Sequence, residues 1–190
     1  MEPLRQFLET TFAPLVLLFT VSNLGAMGLQ VRMPEVAAAL RNRKAVALIF
    51  IWGWVLGPAV GLLITRILPL EEPYVIVVLL ASLAPCAPFL QQMVSKARGD
   101  MGFAGALIPV VAVGTVVLMP LLAPLLIKGL TISTWALAKP LLLTILLPLI
   151  VGAALRHYAD NAATRVFPAV GLFAKLTTLA TIVWCLVLYG

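Results

Sequence analysis

The segment 83–92 is the part of the chain whose residue types best suit the binding of a ligand. It reads LAPCAPFLQQ, so two prolines three residues apart lie in an apolar stretch and two glutamines follow. Because proline lacks an N–H and clashes with the preceding turn, the pair predicts a helix break that frees carbonyls near Ala81 and Ala84. Interrupted helices of this kind form the midplane sites of many secondary transporters. The predicted substrate- or ion-binding residues here are Pro85, Cys86, Pro88, Gln91 and Gln92; a kink used only for packing is the alternative.

Two other polar side chains in apolar stretches are candidates for the same site. Asn23 precedes the small residues GAMG at 25–28, whose spacing also permits close helix contact. Thr115 follows Gly114 in a later apolar stretch. We predict that Asn23 and Thr115 line the binding site. Helix packing for the asparagine, and a hydrogen bond to its own backbone for the threonine, are the alternatives.

Catalysis is not predicted, because the apolar stretches lack the groups that it needs. The single histidine, His157, lies beside Arg156 in a short connection, and the acidic pair Glu71 and Glu72 lies in a turn. No HExxH motif occurs, and Cys86 has no base within plausible reach in the sequence. We therefore expect no enzyme activity and no cofactor, while the binding of a metal stays open.

Lys175 is the one charged residue well inside an apolar stretch, since Arg66 and Lys139 lie close to the ends of theirs. A lysine near the centre of a bilayer costs about 2.5–3.5 kcal/mol on insertion scales, and no other apolar stretch holds an acid to pair with it. Either Lys175 faces a wet cavity, or the last helix begins near it and needs residues beyond Gly190 to finish crossing.

The composition shows what kind of chain must position these residues. Of the 190 residues, 63% are hydrophobic and 11% are charged, and the mean hydropathy is +1.12. Soluble domains carry about 25% charged residues, so this chain cannot cover a globular surface. A water-soluble domain, a disordered chain, a nucleic-acid-binding module and a disulfide-stapled secreted scaffold are excluded. The sequence predicts an all-α membrane protein whose surroundings are the lipid bilayer.

Six apolar stretches are long enough to cross a bilayer, which takes about 20 residues. They cover residues 12–31, 45–68, 74–94, 101–127, 137–155 and 167–189. Because the connections are short, we predict a single transmembrane domain over residues 1–190, with the third helix interrupted at Pro85–Pro88. The segment from Glu35 to Arg43 is either a short helix in the membrane interface or a solvated loop.

The positions of the basic residues predict the orientation of the chain. Eight lysines and arginines lie in the gaps after the first, third and fifth stretches, and four lie on the other side. The side with more basic residues is normally cytoplasmic. We therefore expect a multi-pass protein of the inner (plasma) membrane with both termini outside.

Four stretches, in their order and spacing, make the chain resemble the bile acid:sodium symporter family of secondary transporters. They are GAMGL at 25–29 with PEV at 34–36, Lys44 with Pro58, LAPC at 83–86 through Met93 to ARGD at 97–100, and LLP at 146–148 with Gly152, Arg156 and His157. The run APC at 84–86 is also similar to the related arsenite efflux permeases, in which a cysteine at this break matters for metalloid transport.

The resemblance implies nine or ten helices in two inverted five-helix repeats, with two interrupted helices that cross near the midplane. It also implies sodium ions around the crossing and small organic anions as substrates. This chain looks like the second to seventh helices of the family and lacks the last three. Two positions depart from the family pattern: Leu90-Gln91 stands where a Ser-Asn pair is typical, and Gly53 stands where a glutamine is frequent. Sodium as the coupling ion therefore stays open.

These observations support three hypotheses on function. The leading one is a secondary transporter that moves a small organic anion across the cytoplasmic membrane by alternating access. The second is a truncated or split chain, inactive by itself, that needs a second chain or copy to supply the missing helices. The third is an arsenite efflux permease with Cys86 as a soft ligand for trivalent arsenic.

Overall fold

The protein is all-helical over residues 2–85, 90–127 and 133–189, which are the residues that a computed structural model describes. The prediction of an all-α membrane protein is confirmed. The helices are α1 (Glu2–Gly28), α2 (Met33–Arg41), α3 (Arg43–Phe50), α4 (Gly57–Ile67), α5 (Glu72–Ser82), α6 (Leu90–Lys96), α7 (Met101–Leu126), α8 (Thr134–Leu141), α9 (Leu147–Tyr158) and α10 (Asp160–Tyr189).

Five helical segments of the described chain are long and apolar enough to cross a membrane, so this is a multi-pass membrane protein. They are Thr10–Gly28, Arg43–Ile67, Gly102–Leu126, Thr134–Tyr158 and Asp160–Leu188. The remaining predicted stretch, 74–94, is divided between the short helices α5 and α6. Helix α5 therefore ends at Ser82, just before the first of the two prolines.

Two of the long segments contain a π-helical turn that the sequence analysis did not predict. Ile51–Leu56 joins α3 to α4, and Leu142–Leu146 joins α8 to α9. In each case a proline, Pro58 or Pro148, lies in the first turn after the π segment. Because that proline has no N–H for the carbonyl four residues earlier, widening the turn offers the backbone other hydrogen bonds. The backbone N–H groups of Gly57 and Leu147 accordingly bond five residues back, to Trp52 and Leu142.

Helix α7 is the centre of the packing. Its residues contribute to all three buried apolar clusters, which lie against α1 and α9, against α5, and against α2. Half of its apolar window is buried, compared with 33% or less in the other four membrane spans. Helices α1 and α9 therefore pack on α7, whereas α10 packs on α1 and α9.

The bounds of helices α2 and α10 settle two open points of the sequence analysis. The segment before α3 is a helix, α2, which packs Ala39 on Ala106 and Leu107 of α7, so the alternative of a solvated loop is wrong. Helix α10 begins at Asp160, so the alternative that the last helix begins near Lys175 is also wrong.

Helix α1 is held on its two sides by different kinds of contact. Towards α9 the contact is glycine on glycine: a Cβ on Gly152 would lie 2.6 Å from the Gly25 carbonyl oxygen, and one on Gly28 would meet the Leu149 carbonyl. Towards α10 the contact is polar, since Ser22 and Thr177 share a hydrogen bond of 2.9 Å. Close backbone approach and interhelical hydrogen bonds are the main forces between helices in lipid, where apolar burial drives little.

We expect Gly152→Ala to destabilise the protein, because the added methyl group meets backbone atoms of α1 that cannot rotate away. Overpacking of this kind typically costs about 1–3 kcal/mol. Gly25→Ala is the matched control, because a Cβ there has nothing within 4 Å. Thermal unfolding in detergent measures both; an unchanged melting temperature for Gly152→Ala would contradict the contact.

We also expect Asn23→Leu to lower the unfolding free energy by about 1 kcal/mol, since interhelical hydrogen bonds in membranes average about 0.6 kcal/mol each. The Asn23 amide donates to the Ala174 carbonyl at 3.3 Å and to the Thr178 hydroxyl at 3.1 Å. Thr144→Val is the control, because the Thr144 hydroxyl donates within its own helical segment, to the Pro140 carbonyl. Equal losses for the two variants would show that Asn23 does not hold α1 to α10.

Candidate functional site

The break in the third span begins with a well-bonded helix end. The N–H groups of Leu83 and Ala84 donate to the carbonyls of Leu80 and Ala81, both at 3.2 Å, and the Ser82 hydroxyl donates to the Leu79 carbonyl at 2.7 Å. The Ala81 carbonyl, which the sequence predicts to be freed, therefore accepts a hydrogen bond from within the turn. Leu83 is fully buried in the cluster with α7, which anchors the end of α5.

Three glycines let the preceding span approach this break. Gly53, Gly57 and Gly61 are four residues apart, so they share one face of the helical segment 43–67. A Cβ on Gly53 would lie 2.9 Å from Cβ of Pro85, and one on Gly57 would lie 2.9 Å from the Ser82 carbonyl oxygen. A Cβ on Gly61 would lie 2.7 Å from the Ser82 hydroxyl. Side chains at these positions would push the broken helix away, so the glycines set its distance.

A cavity of about 510 Å³ lies beside this contact. Its walls come from the π-helical turn and its neighbours, from the end of α5 with the first residues of the break, and from the first half of α7. The lining residues are Ile49, Trp52, Gly53, Gly57, Ala81, Ser82, Ala84, Pro85, Phe103, Ala104, Leu107, Ile108 and Val111. Among the described lining residues, Ser82 has the only side-chain hydroxyl, and the other side chains are apolar apart from the indole N–H of Trp52.

The opposite face of the π-helical turn is packed tightly on α7. Trp54 lies against Gly114, where a Cβ would be 2.5 Å from a carbon of the indole ring. Trp54 is 7% exposed, and its indole N–H has no hydrogen-bond partner among the described residues. This contact sets the distance between the π-helical turn and α7, which both contribute residues to the cavity lining.

The predicted site residues do not all lie at the cavity. Pro85 lines the cavity. Cys86 and Pro88 lie outside the described residues, and Gln91 and Gln92 lie on α6 with side chains that also fall outside them. The prediction for these four residues stays a prediction.

Asn23 and Thr115 lie away from the cavity lining. Asn23 is 3% exposed and is held between α1 and α10 by the hydrogen bonds given above. Thr115 is buried on α7 and donates to the Val111 carbonyl at 2.9 Å. Each residue therefore has the packing or backbone contact that the sequence analysis kept as its alternative.

The aromatic and small residues of the cavity wall were not predicted. Trp52, Phe103 and Ala104 carry no chemical signature that separates them from the other apolar residues of their helices. The repeat of glycine every four residues from Gly53 to Gly61 was the one available signal, because a small-residue face marks close helix approach.

A second cavity, of about 480 Å³, lies where α1 ends and α9 meets α10. Its lining includes Arg32, Glu35, Arg156, His157 and Asp160. Arg156 contacts the Asp160 carboxylate at 2.9 Å, and Arg32 contacts the Glu35 carboxylate at 3.5 Å. Because both arginines already face a carboxylate, we take the apolar cavity at the break as the candidate site.

No group of three or more histidine, cysteine or acidic residues that could hold a metal ion occurs in the described part of the chain. Among curated proteins, no sequence matches this chain. The sequence profile of the Sodium Bile acid symporter family, by contrast, matches residues 15–190. That match includes the broken third span, the glycine face and all three walls of the cavity. The chain therefore belongs to the sodium bile acid symporter family.

Proposed function

We propose that this protein is a secondary transporter, and not an enzyme, which moves a small organic anion with an apolar body across the cytoplasmic membrane. The observation that carries the proposal is the cavity of about 510 Å³ beside the interrupted helix. Membership of a symporter family supports transport, and the position of the cavity supports this part of the fold as the binding region. Alternating access would expose the cavity to one side of the membrane at a time.

The residues that line the cavity support the proposal that the substrate has an apolar body. Trp52, Phe103 and Leu107 offer a hydrophobic surface, and ligand pockets of this kind bind mainly by apolar contact with a few polar groups for orientation. The amide side chains of Gln91 and Gln92 follow the break and are our proposed partners for the anionic group. Cys86 and Pro88 complete the proposed substrate-binding segment.

Family membership also supports sodium as the coupling ion. The contact between Gly53 and Pro85 argues against one part of that mechanism, because the glutamine frequent at this position in the family has no space here. Sodium coupling is accordingly a proposal that rests on the family and not on the geometry of the site.

The basic residues support an orientation with both termini outside. Arg32, between α1 and α2, and Arg156, in the last turn of α9, line the same cavity, so the ends of α1 and α9 lie on one side of the bundle. The other basic connections on that side contribute Arg41, Arg43, Lys44, Lys96, Arg98 and Arg165. This side is the proposed cytoplasmic face, by the excess of positive charge there.

We expect Ala104→Phe to weaken the binding of taurocholate at least tenfold, because the phenyl ring would fill the cavity. Tenfold corresponds to about 1.4 kcal/mol. Val113→Phe is the matched control, since Val113 is exposed on the same helix and away from the cavity lining. Radiolabelled taurocholate below its micellar concentration, bound to the purified chain, provides the measurement. Absent binding by the unmodified chain, or equal affinities for both variants, would contradict the site.

Uptake of taurocholate into proteoliposomes that contain the purified chain tests transport itself. We expect uptake to be several times faster under an inward Na⁺ gradient than under an equal K⁺ gradient, as the family implies. Equal rates would rule out sodium coupling and leave anion transport standing. Binding without uptake would favour the alternative in which a second chain or copy must complete the fold.

A further inference from the structure

The outer face of α10 carries a regular stripe of large apolar side chains. Leu172, Leu179, Ile182 and Leu186 are 60%, 60%, 53% and 66% exposed, respectively. Lys175, also exposed, occupies the position between the first two. The five residues are spaced by three, four, three and four positions, which is the spacing of a seam where one helix packs along another. We call these five residues the α10 stripe.

The face of α10 beside the stripe already has its partner. Ala174, Thr177 and Thr178 are buried, and Thr177 and Thr178 form hydrogen bonds with α1. The stripe borders the face that holds these residues: around the helix Lys175 lies about 60° and Ile182 about 40° from Thr178, since consecutive residues are about 100° apart. The packing of α10 within the described chain therefore leaves the stripe uncovered.

Lys175 distinguishes this stripe from an ordinary surface that faces lipid tails. It is the sixteenth of the 30 residues of α10, so its Cα lies about 22 Å from the first residue of the helix. No ion pair of Lys175 occurs among the described residues. A charged side chain within a membrane helix normally faces a partner or a water-filled space. The described residues give Lys175 no charged partner.

We propose that the α10 stripe packs in the membrane against one apolar helix from outside this chain, and that this helix carries an Asp or Glu at the depth of Lys175. The lysine ammonium group would pair with that carboxylate, and the flanking leucines would pack along the partner. The pair sets the register of the two helices, as a single polar position does in a helix seam.

A second copy of this chain does not fit that chemistry. All seven acidic residues, Glu2, Glu9, Glu35, Glu71, Glu72, Asp100 and Asp160, lie at the ends of the apolar segments or between them. Two copies that met through the α10 stripe would bring lysine towards lysine without a carboxylate at that depth. Charge complementarity therefore points to a different helix.

The proposal is tested in phosphatidylcholine vesicles at pH 8 with a synthetic membrane-spanning peptide of leucine and alanine. One form of the peptide has a single Glu at its centre, and the comparison form has Gln. Energy transfer from the tryptophans of the full chain to a dansyl group on the peptide measures association. We expect the Glu peptide to associate at least tenfold more strongly than the Gln peptide.

Three variants distinguish a specific pair from a general effect of charge. Lys175→Gln should reduce the preference for the Glu peptide to less than twofold, and Lys175→Glu should create a preference for a peptide with a central Lys. The double variant Lys175→Gln, Leu176→Lys moves the lysine off the stripe to a neighbouring exposed position and should also lose the preference. Equal association of the Glu and Gln peptides, or an unchanged preference in the double variant, would overturn the proposal and leave Lys175 extended along the lipid towards the membrane surface.

Discussion

The fold depends on the requirement that backbone polar groups in a bilayer be bonded within the protein, because lipid tails offer them no partner. Each proline inside a span removes one backbone N–H, so one carbonyl of the preceding turn needs another hydrogen-bond donor. At Pro58 and Pro148 the helix widens into a π turn and continues, whereas before Pro85 it ends after Ser82 in a hydrogen-bonded turn. The missing proline N–H is thus accommodated in two continuous spans, whereas the third span is interrupted. The cavity lies beside that interruption.

Glycines allow the helices around the break to approach closely enough to form the candidate binding region. Gly53, Gly57 and Gly61 bring the second span against the broken helix, and Gly114 receives the indole of Trp54 on the other side of the π turn. A similar contact of Gly28 with Gly152 joins α1 to α9. In each case a missing Cβ lets backbones approach, which is the most effective attraction between helices where apolar burial contributes little. The cavity is the space that these close contacts leave between the second span, the break and α7.

Much of the architecture was predictable because the bilayer imposes length and polarity on each span. The apolar runs predicted the positions of the helices, and the two prolines of 83–92 predicted an interruption within the third. The π-helical turns were missed, although Pro58 and Pro148 mark their ends, because proline in a membrane helix is compatible with a simple kink as well. The contacts of Asn23 were undetermined for another reason: an asparagine in an apolar run must find a partner, but the sequence does not say on which helix.

The sequence by itself determined the class of the protein, the number and order of its apolar segments, the place of the break and the likeness to a symporter family, because these depend on local composition and spacing. Only the tertiary structure decided which walls enclose the cavity, that Asn23 and Thr115 lie outside its lining, and that Lys175 faces away from the packed core. Those facts depend on contacts between residues far apart in the chain. They are set by which helix faces come together, and the periodicity of one helix does not contain that information.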